Sequence, residues 1–487
     1  MDGYQNEYLH VGNAYDLWDS VRQGDQWHLR YYMYTGYWPF GLYVFSWPIM
    51  ALTGMGKTQL IAANLIHLMV MITGCYLLKR KFKSINLFPI LFLCPAVFGS
   101  FVRFEPNFAN VAWFSLGIGM LANSESLTKR KWVLGWGAAF GIGLMLDRLT
   151  LLFFLLPAVV PYLLPLTKQK LKNLTFGMGV FFLITFAYYR EFFIRHSDEL
   201  FSQVSVGEID SAGNLTEADN PISGLFYLLS VPDSQAGPFI GLGMLFGLGA
   251  LLIRFHKSTA NEKMLVFSCL PALLFFTCIA KKQVFYTIPI LVPLAVFAAT
   301  WRTLSPFMLI GGAFGFLSVG CGVGSVGKPW LPPTWTAPRH TLAKPPSFDS
   351  YPTIEAFDAV TPTGKQILVL SQDYNLYEGF LVLLVRQAFP NRKVRGAILD
   401  PQGAVEQLDE VDHFIWVAPK NQTWPSITEI RKELEADHYE IGDMPSIAEH
   451  LHQRKSDFTL VGSWPIFERG STTETHTSLY VYKRTGK

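Results

Sequence analysis

From residue 37 to residue 326 the chain is one apolar run after another, broken by short polar and basic stretches, whereas residues 345 to 487 mix apolar and polar positions as soluble protein does. A helix rising 1.5 Å per residue needs about 20 apolar residues, within a range of about 17 to 25, to cross about 30 Å of hydrocarbon. That rule predicts spans near 59–78, 84–102, 107–123, 132–147, 149–166, 174–190, 236–253, 264–280, 284–300 and 304–326. Tyr37 to Met55 is also apolar, but Pro39, Gly41 and Pro48 interrupt it. It either crosses or lies in the outer interface, and its Trp38, Tyr43 and Trp47 suit an interfacial or re-entrant helix over 37–56.

The polar end of the chain has a different period. Residues 327–352, with KPWLPPTW and KPPSF, form a proline-rich linker. Beyond it, Gln366–Leu370 reads as a buried strand, Tyr377–Ala388 as a helix, Val394 as the start of a short strand, Phe414–Val417 as a strand and Ser426–Asp437 as a helix. The segments FTLVGSWPIFERG and SLYVYKR close the chain as a hairpin. This alternation predicts a small α/β domain over 353–487 after a polytopic α-helical membrane domain of about ten spans over 57–326. The tail contains no GxGxxG, Walker loop or HExxH, so it reads as an accessory domain rather than an independent active site.

Composition agrees with the pattern. Only 16% of the 487 residues are charged against 50% hydrophobic, where a soluble globular protein carries about 25% charge. A net charge of +3 gives no footprint for a nucleic-acid partner. All five cysteines lie in apolar runs, which leaves no disulfide framework or CxxC metal site. The start, MDGYQNEYLH, has neither the basic nor the apolar region of a signal peptide.

Orientation follows from where lysine and arginine cluster. The groups Lys79-Arg80-Lys81 with Lys83, Lys129-Arg130-Lys131, Lys168 with Lys170 and Lys172, Arg254 with Lys257 and Lys263, and Arg302 are each separated by two expected spans. All of them fit one side, the cytoplasmic one. The acidic stretch 191–235 then lies outside, as do residues 1–36 and the C-terminal domain. The expected location is a plasma (inner) membrane, crossed many times, with the C-terminal domain extracytoplasmic.

Against that frame the outer turns carry unexpected cations: Arg103 with Glu105 in FVRFEPNFAN, Arg148 beside Asp147 in GLMLDRLTLLFFLLP, and Lys281 with Lys282 in AKKQVFYTIPILVP. Cations at membrane depth on the side the positive-inside rule disfavours either bind an anionic lipid phosphate or snorkel to headgroups as anchors. The N-terminal outer segment gathers Asp2, Glu7, His10, Asp16 and Asp19. Glu7 with His10, and Asp16 with Asp19, share a helix face at i,i+3. No metal ligand set is assigned and no cofactor is certain; such pairs admit a divalent metal, although interfacial carboxylates are more often simply solvated.

In their order, these segments resemble the membrane glycosyltransferases of the GT-C superfamily, in particular the bacterial branch that includes dolichyl-phosphate-mannose protein mannosyltransferases and the lipid A aminoarabinose transferase. The resemblance covers roughly residues 1–303. It rests on NEYLH, then YTGYWPFGLYVFSWPIMALTG, RFEPNFANVAW, GIGLMLDRLTLLFFLLP and KKQVFYTIPILVPLAVFAA. The family's first acidic position is usually Asp, whereas the pair here is Asn6-Glu7, so that Glu7 acts alone or Asp2 substitutes. Trp38 stands where a basic residue often precedes the proline. The family pattern also places a span before the acidic pair, and the resemblance implies one upstream of residue 1.

The resemblance implies an inverting transfer of a sugar from a polyprenyl phosphate to a lipid, glycan or protein acceptor on the extracytoplasmic face. Such a reaction needs a carboxylate to take the acceptor proton and fixed cations to stabilise the leaving phosphate. Residue by residue, Glu7 is the implied base, with Asp2 its substitute and Glu105 a second carboxylate; Arg148, Lys281 and Lys282, then Arg103, hold the lipid phosphate. The expected partners are a polyprenyl-phosphate-linked sugar, the bilayer and a glycolipid or glycan acceptor. The rival readings are a transporter or flippase, which would place charge at mid-span within internal repeats, and a non-catalytic scaffold presenting the C-terminal domain.

Overall fold

The computed structural model describes residues 10–11, 13–15, 17–18, 20–22, 24, 26, 29, 39–54, 57–147, 149–204, 228–278, 284–301, 303–320, 366–371, 393–396, 411–419, 423–424, 449, 451–467 and 474–485. The chain divides into two compact units: Met1–Gly12 with Ile209–Asn214 and Lys344–Lys487, and Asn13–Glu208 with Leu215–Ala343.

The larger unit is helical. Its main helices are α1 (Gly41–Thr53), α2 (Asn64–Phe82), α3 (Pro106–Ala122), α4 (Arg130–Leu146), α5 (Lys168–Val204), α6 (Pro238–Ile253), α7 (Leu291–Ala299) and α8 (Leu304–Gly320). Among the described residues, Gln59–Phe82, Lys168–Ile194 and Ala260–Thr277 are long and apolar enough to cross a membrane. The remaining expected spans are shorter or broken, and prolines account for the breaks. The 84–102 run divides into Leu87–Phe92 and Pro95–Phe101, because Pro95 has no N–H to continue the first helix. Pro157, Pro161 and Pro165 divide the 149–166 run into single turns. In the other direction, α5 continues through the start of the stretch expected to be an outer loop and reaches Val204.

Helix α3 lies at the centre. It is mostly apolar, with Asn107, Asn110 and Ser115 as its polar side chains, and all of its residues but Met120 are buried, as expected of a helix with neighbours on every side. Helices α2 and α4 pack against it, and α5 packs on α4. Glycines set the spacing: a Cβ at Gly74 of α2 would meet Leu116 N of α3 at 2.5 Å, and one at Gly137 of α4 would meet Gly177 O of α5 at 2.0 Å. Small residues allow the close backbone approach on which helix pairs in lipid depend, because hydrophobicity offers no drive between them there. Helix α1, with 13 residues, is about 20 Å long and too short to cross alone. Its aromatic residues face protein: Tyr43 is buried and its hydroxyl accepts from Asn13 Nδ2 at 3.1 Å, and the Trp47 ring lies 6.3 Å from that of Trp18.

The smaller unit is built on a five-stranded sheet in the order β2-β1-β3-β5-β4, with β1 Gln366–Ser371, β2 Lys393–Gly396, β3 Val411–Pro419, β4 Phe458–Phe467 and β5 Glu474–Arg484. β1 is parallel to β2 and β3; β5 is antiparallel to β3 and β4. The expected strands and terminal hairpin are present, while the helices expected over 377–388 and 426–437 lie outside the described residues. Phe414–Ala418 of β3 is a continuous buried run, the signature of a strand covered on both faces.

Candidate functional site

The site is built around the first two turns of α3. Pro106 takes the first helical position, where its missing N–H costs nothing. Glu105 precedes it with extended backbone, φ −136° and ψ 158°, which places a carboxylate at the positive end of a helix dipole. Asn107 Nδ2 donates to Glu105 Oε2 at 2.8 Å, and Arg103 Nη1 lies 3.9 Å from Glu105 Oε1. Both members of this ion pair are buried, Arg103 to 5% and Glu105 to 3% exposure, in surroundings where an uncompensated charge is costly.

The loop that carries the pair is held from α2. Asn64 Nδ2 donates to both Phe101 O, at 2.8 Å, and Arg103 O, at 2.6 Å. One side chain thus satisfies carbonyls at the end of one helix and just before the next, and fixes the backbone from which Arg103 and Glu105 project.

One turn below Asn107, Asn110 Nδ2 donates to Asp147 Oδ2 at 2.5 Å. Asp147 ends α4 in extended backbone, φ −141° and ψ 167°, and is itself buried. The Tyr189 hydroxyl of α5 lies 2.9 Å from Leu144 O and 3.3 Å from Asp147 O. Two buried carboxylates, Glu105 and Asp147, are therefore each gripped by an asparagine, and the two asparagines lie at i,i+3 on one face of α3. Further down the helix, Trp113 Nε1 donates to His67 Nδ1 at 3.3 Å. A second polar group lies in the same unit, where Gln235 Nε2 donates to Thr287 Oγ1 at 2.8 Å.

Of the residues singled out from sequence, the structure brings Arg103 and Glu105 together. Asp2, Glu7, Arg148, Lys281 and Lys282 lie outside the described residues. No group of three or more histidine, cysteine or acidic side chains with metal-binding geometry occurs among the described residues. Sequence reasoning passed over Asn64, Asn107, Asn110 and the Gln235–Thr287 pair, and named Asp147 without giving it a partner. The missed signal was an uncharged amide inside an apolar run, as in IAANLIHL and PNFANVAW.

No protein-family model matches the chain, and no curated protein matches it by sequence. Two solved structures do match in three dimensions. ArnT from Cupriavidus metallidurans in the apo state superposes with a TM-score of 0.57 at 12% identity, over 98% of this chain and 93% of that one. The same protein bound to undecaprenyl phosphate gives 0.58 at 12% identity over the same shares. The fold is thus shared with these ArnT structures, in agreement with the fold that the sequence resemblance implied.

Proposed function

We propose, on the premise of this shared fold, that the chain is a membrane glycosyltransferase that moves a sugar from a polyprenyl phosphate to a lipid, glycan or protein acceptor. The observation that supports this best is the Arg103–Glu105 pair, held by Asn107 and Asn64 at the start of α3. A cation and a carboxylate buried together add little to stability even when paired, which favours a functional reason for them at this helix end, and a protein of the same fold is known in complex with undecaprenyl phosphate.

In the proposed reaction an acceptor hydroxyl attacks the anomeric carbon, the bond to the phosphate oxygen breaks, and the hydroxyl proton passes to a carboxylate. Glu7 is the proposed base, with Asp2 its substitute, and Glu105 orients the acceptor. Arg148, Lys281 and Lys282, with Arg103, are the proposed ligands of the departing phosphate, whose growing charge they offset. Asp147 lies next to Arg148 in the chain, and its carboxylate is oriented by Asn110. The reaction is proposed to occur at the extracytoplasmic face of the inner membrane, with the C-terminal unit on the same side. A divalent metal is not needed by this scheme.

The test is transfer of radiolabelled sugar from undecaprenyl-phosphate donors by the full-length protein in membranes, comparing wild type with Glu7→Gln and Glu105→Gln. Loss of turnover in either variant, with undecaprenyl phosphate still bound, supports the assignment of that carboxylate. Unchanged turnover in both removes both from the mechanism. A well-folded wild type inert with every donor favours the scaffold reading.

A further inference from the structure

The five residues Val231–Gln235, with the sequence VPDSQ, form a single π-helical turn, and each of them is buried. Isolated π-turns are rare and concentrate at functional sites. This one packs against Val284–Ile290, Pro95–Phe101 and α6. A Cβ at Gly241 of α6 would stand 1.8 Å from Pro232 O, so the turn is seated directly on the backbone of the next helix.

The polar groups of the turn are only partly accounted for. The Ser234 hydroxyl donates back to Ser230 O at 3.0 Å. Gln235 Nε2 donates to Thr287 Oγ1 at 2.8 Å, but Gln235 Oε1 has no hydrogen-bond partner among the described residues, on a side chain only 1% exposed. Turning the amide over exchanges an unmet acceptor for an unmet donor and leaves the deficit in place. A hydroxyl group, which both donates and accepts, meets either case.

The position of the turn indicates which hydroxyl. Thr287 follows Lys282 by five residues, at most about 18 Å of chain, and its segment Val284–Ile290 packs against α3, the helix that Glu105 opens. The Gln235 amide therefore belongs to the same helical unit as Arg103 and Glu105, on a turn that also packs against Pro95–Phe101, the helix that ends two residues before Arg103.

We propose that Gln235, held in place by Thr287, is a sugar-recognition residue whose unpaired amide atom takes a hydroxyl of the lipid-linked sugar. The proposal rests on the transferase reading above. It adds a specificity residue that acts on the sugar and not on the phosphate or the prenyl chain.

The two ideas fail differently in one experiment on full-length protein in lipid nanodiscs. The probes are undecaprenyl phosphate alone and undecaprenyl phosphate carrying a hexose or a pentose; the proteins are wild type, Gln235→Met, of similar length but apolar, and Gln235→Glu, which keeps an acceptor oxygen. The expected result is equal binding of undecaprenyl phosphate by all three, a kcat/KM for the sugar donor about tenfold lower in Gln235→Met, as loss of one good hydrogen bond gives, and recovery toward wild type in Gln235→Glu. Wild-type kcat/KM in Gln235→Met overturns the proposal, leaving the amide a structural group that at most holds a water. Should Gln235→Met also lose undecaprenyl phosphate, wild-type protein with singly deoxygenated donors decides: one discriminated position supports the proposal, and equal turnover of all overturns it. A wild type that transfers no sugar at all defeats the transferase reading and this proposal with it.

Discussion

Asn110 and Asp147 are joined by a 2.5 Å hydrogen bond that ties the second turn of α3 to the residue that caps α4, across 37 positions of sequence. The bond orients the buried Asp147 carboxylate, and its energetics are asymmetric. A hydrogen bond to a charged group contributes about 1.5–3 kcal/mol, and removing one partner leaves the other buried with one hydrogen bond fewer. Asn110→Leu is therefore expected to destabilise the protein by about 1.5–3 kcal/mol. The double variant Asn110→Leu/Asp147→Leu should cost less than the two single changes added together. Thermal unfolding of all four proteins in one detergent gives the cycle; strict additivity would show that the pair is not coupled.

Asn64 has the corresponding task on the other side of α3, where it serves two carbonyls at once. Asn64→Leu strips both: loss of the buried bond to Arg103 O costs about 1–3 kcal/mol, and loss of the part-buried bond to Phe101 O costs less. The expected outcome is a lower melting temperature together with weaker sugar transfer, because the same loop carries Arg103 and Glu105. Asn64→Asp, which keeps side-chain oxygens but no N–H, is expected to behave like Asn64→Leu, since the function of Asn64 here is donation. A melting temperature within error of wild type for both variants would contradict it.

These asparagines show where sequence reading stops. The block pattern of apolar residues carried the architecture far enough to predict a helical membrane part followed by strands at 366–370, 394 and 414–417. It also marked Arg103 and Glu105, because a charge in an apolar run stands out. An amide does not stand out, and its worth depends on what it meets: Asn64 on Arg103 O is 39 positions away and Gln235 on Thr287 is 52. Contacts at that range follow from how helices cross, which a hydropathy window does not register. The interrupted helices were missed for a related reason. A window averages over Pro95 or Pro157, whereas the backbone must end a hydrogen-bond ladder there.

Helix spacing offers a prediction independent of the site. A Cβ at Gly74 would lie 2.5 Å from both Leu116 N and Ser115 C, backbone atoms of α3 that have no flexible side chain with which to give way. Gly74→Val should drive α2 and α3 apart at a cost of about 1–3 kcal/mol or more. Since Asn64 and His67 lie on α2, and Asn110 and Trp113 on α3, transfer activity should fall along with stability. Gly179, where a Cβ would meet nothing within 4 Å, provides the control; Gly179→Ala is expected to leave activity unchanged and stability equal or higher by up to about 1 kcal/mol. Equal melting temperatures for Gly74→Val and wild type would refute the close packing.

Tyr482 gives the sheet a dependence on alkaline pH. Its ring stacks on Phe414 at 4.5 Å and meets Trp424 edge-on at 4.8 Å. Burial, and secondarily the neighbouring Tyr480 phenol, push its pKa up from 10.0 to about 12. An unfolded chain releases this proton near pH 10, while the folded sheet keeps it until about 12. The folded state thus binds the proton more tightly, so its contribution to stability is fully present below about pH 10 and is lost as pH rises from about 10 through about 12. Tyr482→Phe has no proton to lose there. Melting temperatures of the full chain, read from the near-ultraviolet circular dichroism of the sheet aromatics at pH 8 and pH 11, should fall further for wild type than for Tyr482→Phe. Equal falls in the two proteins would mean that Tyr482 titrates like a tyrosine in water, and that its ring is not enclosed between Phe414 and Trp424 in solution.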